Sequence, residues 1–224
     1  MIERDVIFDE FGSIVALWCG ADLDSGGLAR ATEFVVERNV PAVSVASDVI
    51  GVVWPWLENK DVKIVSRFYF PDKKITDEQI SDITMQINAA FKHGAGGAQV
   101  FLPYAGLKDL VAQTHVIRDD LFFNRDLSIG IDMADINSCD WDDLFQNLQK
   151  INASALVLVL TKDTGKKSDF VGRIYGMLNA WNNANKFDLH FAFGPNFMRI
   201  EQVVRLIESM RPDLLKDVKF WVNF

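Results

Sequence analysis

The stretch VKIVSRFYFPDKKITDEQISDITMQINAAFKHGAGGAQVFL, residues 62–102, decides the fold. Its two ends, 62–70 and 98–102, are short runs of β-branched, aromatic and apolar residues, and each reads as a strand. Pro71-Asp72-Lys73-Lys74 makes a turn after the first. Thr76 then caps a helix, and Gln79 three residues later completes a capping-box pattern. That helix reaches His93, and Gly94 is its natural stop. Strand, helix, strand is the unit of a parallel α/β architecture.

The same unit repeats on both sides. Upstream, SIVALWC (13–19) is a strand, GADLDSGG a turn in which Asp24 or Ser25 caps a helix over 28–38, and 42–46 a second strand. Ser47-Asp48 starts a helix toward Asn59, with a break or kink expected at Pro55. Downstream, a helix over about 107–122 precedes a strand at 127–133, and a helix starting at Asn137 or Ser138 ends near Ile151. The run ALVLVL (155–160) is apolar throughout, as expected for a strand buried on both faces. Ser168 caps a helix to about Trp181; a strand at 189–193, a helix over about 200–210 and a strand at 219–223 complete the series. Eight strands alternating with seven long helices predict one domain over 1–224, a closed (β/α)8 TIM barrel lacking its final helix. Strands one and eight then need cover from residues 1–12 or from another subunit, and the second cover would make the protein a homo-oligomer.

Composition narrows the class. The chain has 224 residues and a formal charge of −8, so general binding to phosphate backbones is not expected. The N-terminus, Met1-Ile2-Glu3-Arg4-Asp5, has no signal-peptide pattern, and no apolar run has the length of a membrane span. Two cysteines, Cys19 and Cys139, read as reduced thiols of a cytoplasmic protein. The 17 Phe and 6 Trp fit helix–strand packing better than base stacking. His93, His115 and His190 are scattered, and no zinc motif, GxGxxG or Walker pattern occurs, so no metal or cofactor is expected. Asp22, Asp132 and Asp163 would hold Mg²⁺ only if the barrel mouth gathers them.

In such barrels chemistry sits at the C-terminal ends of the strands, and strand parity tells which side chains point inward. Parity turns Lys63, Val65, Arg67 and Tyr69 inward, with Gln99, Asp132 and His190, and sets Lys219, Trp221 and Asn223 on one face. Arg67 has two readings, an internal ion pair with Asp132 or an anchor for a carboxylate or phosphate. His190 is a hydrogen-bonded structural group or an acid/base group. Asp22 and Asp24 are turn and cap residues. Lys162, after strand six, is a solvated loop lysine or an activated amine. The loop Gly194-Pro195-Asn196 after strand seven lies where barrels often hold phosphate, and Asn196, Tyr69, Gln99 and Asn223 join the candidate binding residues.

VKIVSRFYFP, a long helix, then HGAGGAQVFLPYAGLK resembles the third strand, helix and fourth strand of the deoxyribose-phosphate aldolase family of class I aldolases. LTKDTG (160–165) is similar to that family's sixth-strand segment and HFAFG (190–194) to its seventh. The resemblance implies a barrel, a Schiff-base lysine on strand six, an acid on strand four and a second lysine on strand seven. Here Gln99 stands at the acid, His190 at the second lysine and Thr161 at the Schiff-base lysine, with Lys162 one residue later.

Two functions are expected. One is an aldolase/lyase- or isomerase-type enzyme for a small polar carbonyl compound or sugar derivative. In it Lys162 is nucleophile or acid/base group, Asp132 and His190 transfer protons, and Arg67 anchors an anion. The other is a catalytically silent barrel that binds a small molecule or serves in assembly.

Overall fold

The computed structural model describes residues 3–70, 72, 74–112, 126–160, 167–182 and 184–224, with only the backbone described at 167–169. Eight parallel strands close into a barrel in chain order: β1 Val15–Trp18, β2 Ala42–Ala46, β3 Lys63–Tyr69, β4 Gly97–Phe101, β5 Asp126–Asp132, β6 Ala155–Val159, β7 Asp188–Ala192 and β8 Val218–Asn223. β8 lies beside β1, with Val15 level with Phe220 and Trp18 with Asn223, and this pairing closes the ring. The fold is the (β/α)8 TIM barrel that the strand–helix alternation predicts.

The described helices are α1 Glu3–Phe11, α2 Ser25–Glu37, α3 Ile50–Leu57, α4 Asp77–Lys92, α5 Tyr104–Ala112, α6 Trp141–Lys150, α7 Lys167–Ala180 and α8 Phe197–Met210. Local chemistry sets their ends. Asp24 accepts from the Gly27 amide at 2.7 Å and starts α2 at Ser25, earlier than expected. Thr76 and Gln79 form the capping box of α4, and Gly94, at φ +105°, follows its end.

Three helix expectations are corrected. α3 is not broken at Pro55 but runs through it to Leu57; Gly51 and Pro55 are both exposed, so water can serve the carbonyl that proline leaves without a donor. Neither Asn137 nor Ser138 starts α6, because the Asp140 carboxylate holds the Asn137 amide and side chain in a turn and the helix begins at Trp141. Ser168 is no cap, since Lys167 is already helical. The outer half of the helix expected to 122, with His115, and the loop holding Thr161, Lys162 and Asp163 lie outside the described residues.

Strand alternation divides the core. Ile64, Phe68, Val100, Ile129, Leu156, Leu158, Phe191 and Phe220 face outward into the large apolar layer under the helices. Ala16, Ala42, Val65, Phe101, Val157 and Trp221 form a separate small cluster within the barrel. The sector beside β1 and β8 is covered by α1, the first of the two covers expected for strands one and eight. α1 buries Ile7 and Phe8 against it. Phe8 meets Phe34 edge-on at 5.1 Å, the Arg4 guanidinium lies over Phe34 and Phe224, and Phe11 meets Phe197.

Candidate functional site

The interior of the barrel is layered. At its N-terminal end Lys63 pairs with Asp126, which also accepts from the Ser154 hydroxyl. Lys219 and Asp188 belong to the same polar group. Burial lowers the pKa of both lysines; the Lys219 charge lowers Lys63 further, and Asp188 opposes the shift in each. His190, buried, lies above Asp188 on β7 and level with Lys219 on β8. The Trp221 indole N–H donates to its Nδ1 at 3.4 Å, which leaves the ring proton on Nε2. Burial, with the Lys219 and Lys63 charges behind it, lowers the His190 pKa to about 3. His190 is therefore a neutral, weakly basic imidazole.

Toward the C-terminal end lies Arg67, 3% exposed. It points inward, as parity requires, yet it does not pair with Asp132. Its guanidinium turns toward β1 and β2: Nη1 donates to the Ser44 carbonyl at 2.9 Å and the Ser44 hydroxyl at 3.4 Å, and Nη2 donates to the Cys19 carbonyl. The Trp18 ring lies 4.4 Å from its charge centre. Burial lowers the Arg67 pKa, opposed by the neighbouring Tyr69 hydroxyl and Cys19 thiol. Asp132, two strands away on β5, accepts from the Ala134 amide at 2.9 Å in the turn that follows its strand. The expected ion pair is corrected for this reason: parity fixes the side of the strand but not the direction a long side chain takes along the wall.

Ser44 continues the network. Its hydroxyl donates to Gln99 Oε1 at 2.7 Å. The order Arg67 to Ser44 to Gln99 gives each bond one donor and one acceptor, so the Gln99 amide NH₂ is the free end. Gln99 is 0% exposed, and among the described residues its Nε2 has no hydrogen-bond partner; neither has Arg67 Nε. The two residues are register partners on β3 and β4.

Aromatic rings crowd the mouth. Phe101 meets Trp18 edge-on at 5.3 Å, and Tyr69, 56% exposed, stacks on Phe101 at 5.2 Å. The assignment of aromatics to helix–strand packing is thus corrected for Trp18, Tyr69, Phe101 and Trp221. The parity that turns Gln99 inward also turns Phe101 inward, so the signal was in the sequence. Asn223 is exposed at the end of β8. Asn196 caps α8 by accepting from the Arg199 amide at 3.1 Å, and the Phe197 amide donates to Glu3 at 3.0 Å. Protein oxygens thus hold two of the first amides of α8, where a barrel would offer them to phosphate. Among the described residues no three His, Cys, Asp or Glu side chains gather as a metal site. Cys19 is buried and Cys139 exposed, both as free thiols, and burial pushes Cys19 up to about 11.

The chain matches no protein-family model and no curated protein sequence. Its barrel is similar to several solved structures. A protein of Coccidioides immitis provisionally described as a deoxyribose-phosphate aldolase matches with a TM-score of 0.68 at 10% identity, over 94% of this chain and 80% of its own. The tetrameric deoxyribose-phosphate aldolase of Aeropyrum pernix matches with 0.65 at 8% identity, over 99% and 92%. A Streptococcus agalactiae protein provisionally described as the copper homeostasis protein CutC matches with 0.61 at 11% identity, over 94% and 98%. At these identities the likeness is one of fold.

Proposed function

We propose that this barrel, similar in fold to deoxyribose-phosphate aldolases, binds a small anionic carbonyl compound or sugar derivative at its mouth and acts on it as an aldolase-type lyase. One observation carries the reading. Among the described residues Arg67 is a buried cation whose polar partners are backbone carbonyls and hydroxyls, with no carboxylate against it. A buried charge without a counter-charge is costly, and an anionic ligand supplies one. Tyr69 and Asn223 border the mouth and contact the ligand. Lys162, outside the described residues, is the nucleophile: its unprotonated amine adds to the carbonyl carbon and loses water to form an iminium. The iminium accepts the electron pair when the adjacent C–C bond breaks, and Asp132 takes the hydroxyl proton. His190 is too weak a base for that role and holds the barrel interior instead. The free thiols fit a reducing, cytoplasmic setting.

The test is borohydride reduction in the presence of small aldehydes and keto acids, read by intact mass. The expected result is a covalent adduct that disappears in Lys162→Ala. No adduct with any of them would sink the lyase reading.

A silent binding barrel is favoured by a different observation. The positions that resemble the family's acid and second lysine hold Gln99, which cannot ionise, and a neutral His190. Saturable binding without an adduct would establish it.

A further inference from the structure

Resting on the reading of the mouth as a ligand site, we propose that Arg67 Nε and Gln99 Nε2 form a two-donor seat for one oxygen of the ligand, selecting a small planar carboxylate or carbonyl compound over a phosphate.

Both atoms are buried N–H donors without a partner among the described residues, on side chains that point into the barrel from level positions of adjacent strands. The Gln99 amide is fixed in this sense by Ser44, whose hydroxyl donates to its carbonyl end. Two donors beside an uncompensated cation complement an oxygen with negative charge or a strong dipole, and reject a proton donor.

The geometry also limits the size of the anion. Both terminal nitrogens of Arg67 are turned to Ser44 and Cys19, so the end-on Nη1/Nη2 fork faces the protein backbone, and the Tyr69 hydroxyl takes a further hydrogen bond of the guanidinium. Amides at the start of α8, which would share the remaining phosphate oxygens, are held by Glu3 and Asn196. Of these two side chains, the nitrogens without a partner among the described residues are Arg67 Nε and Gln99 Nε2, and together they can meet a single planar oxygen. Trp18 and Phe101 supply flat apolar walls beside it.

The experiment follows the arginine Nε–H resonances of the ¹⁵N-labelled full chain while acetate, pyruvate or inorganic phosphate is added, with Arg67→Lys assigning the signal. The expected result is a saturable shift of the Arg67 Nε–H with acetate and pyruvate and none with phosphate. In Gln99→Glu, close in shape but with an acceptor in place of the donor, carboxylate affinity falls at least tenfold. A shift with phosphate but not carboxylates overturns the seat, as does no shift at all or unchanged affinity in Gln99→Glu. Borohydride trapping on the same sample separates the two readings. An adduct without a shift leaves the lyase standing and removes the seat; a shift without an adduct keeps the seat in a silent barrel.

Discussion

The ring of Phe101 lies against the backbone of Gly130, so close that a Cβ there would fall inside the ring's own van der Waals surface. The two residues are register partners on β4 and β5, and glycine's missing side chain is the space the ring occupies in the barrel. Gly130→Ala must push Phe101 out of its place between Trp18 and Tyr69. The expected cost is about 1–3 kcal/mol by urea denaturation, as for other overpacked cores. In a Phe101→Ala background the same substitution should cost much less, and equal costs in the two backgrounds would show that the ring is not what Gly130 accommodates.

His190 makes stability depend on acid. Its folded pKa is about 3 and its unfolded value near 6.5, so below 6.5 the unfolded chain takes up a proton that the folded one does not. Stability therefore falls as pH drops from 6.5 toward 3, by up to about 1.4 kcal/mol per pH unit from this group. A glutamine in this place would still accept from Trp221 but would not titrate, so His190→Gln should flatten the curve between about pH 6 and 4 by that slope. Parallel curves for the two proteins would refute the assignment.

Lys219 acts in the same sense at the alkaline end of the pH scale. Burial lowers its pKa, so the charged form is disfavoured in the folded state. As pH rises between the folded pKa and the ordinary value of 10.5, the folded protein has already released the proton and its stability increases. Lys219→Met should be more stable at neutral pH, by under about 1 kcal/mol given partial exposure, and should lack this alkaline rise. Chemical denaturation at about pH 7 and pH 10 reads both; a less stable variant at neutral pH would mean that Asp188 outweighs the burial.

Ile7, 0% exposed, is the apolar anchor of α1. Ile7→Ala should cost about 2–5 kcal/mol. It should also speed proteolytic cleavage around residues 12–14, which join α1 to β1. A variant as protease-resistant as the wild type would mean that α1 is held by its polar contacts with Phe197 and Arg38 instead.

Much of this was legible in the sequence because it depends on local chemistry. The capping box at Thr76, the stop at Gly94 and the apolar run at 155–160 each state their element directly. Period-two alternation was enough to turn Arg67, Gln99 and His190 inward. What they meet was not legible. Arg67 reaches the Ser44 carbonyl on β2 and the Cys19 carbonyl just past the end of β1, a matter of barrel curvature and rotamer that no spacing encodes. The same holds for Phe101, whose place in the mouth depends on the size of a residue on the next strand. Pro55 and Asn137 misled for a different reason, since solvent exposure and a neighbouring carboxylate overrode intrinsic preference.

The helix that covers the seam of the barrel is translated long before one of the two strands it covers. Glu3 and the Phe197 amide it holds are 194 positions apart. At ~5–20 residues per second, α1 waits on the order of ten to forty seconds after its own synthesis before these partners exist. During that time α1 has β1 and Phe34 of α2 to pack against but not Phe197, and β1 has an unpaired edge until β8 arrives. Closing the ring needs β8 beside β1, so the seam that α1 covers can form only once the last strand has been made.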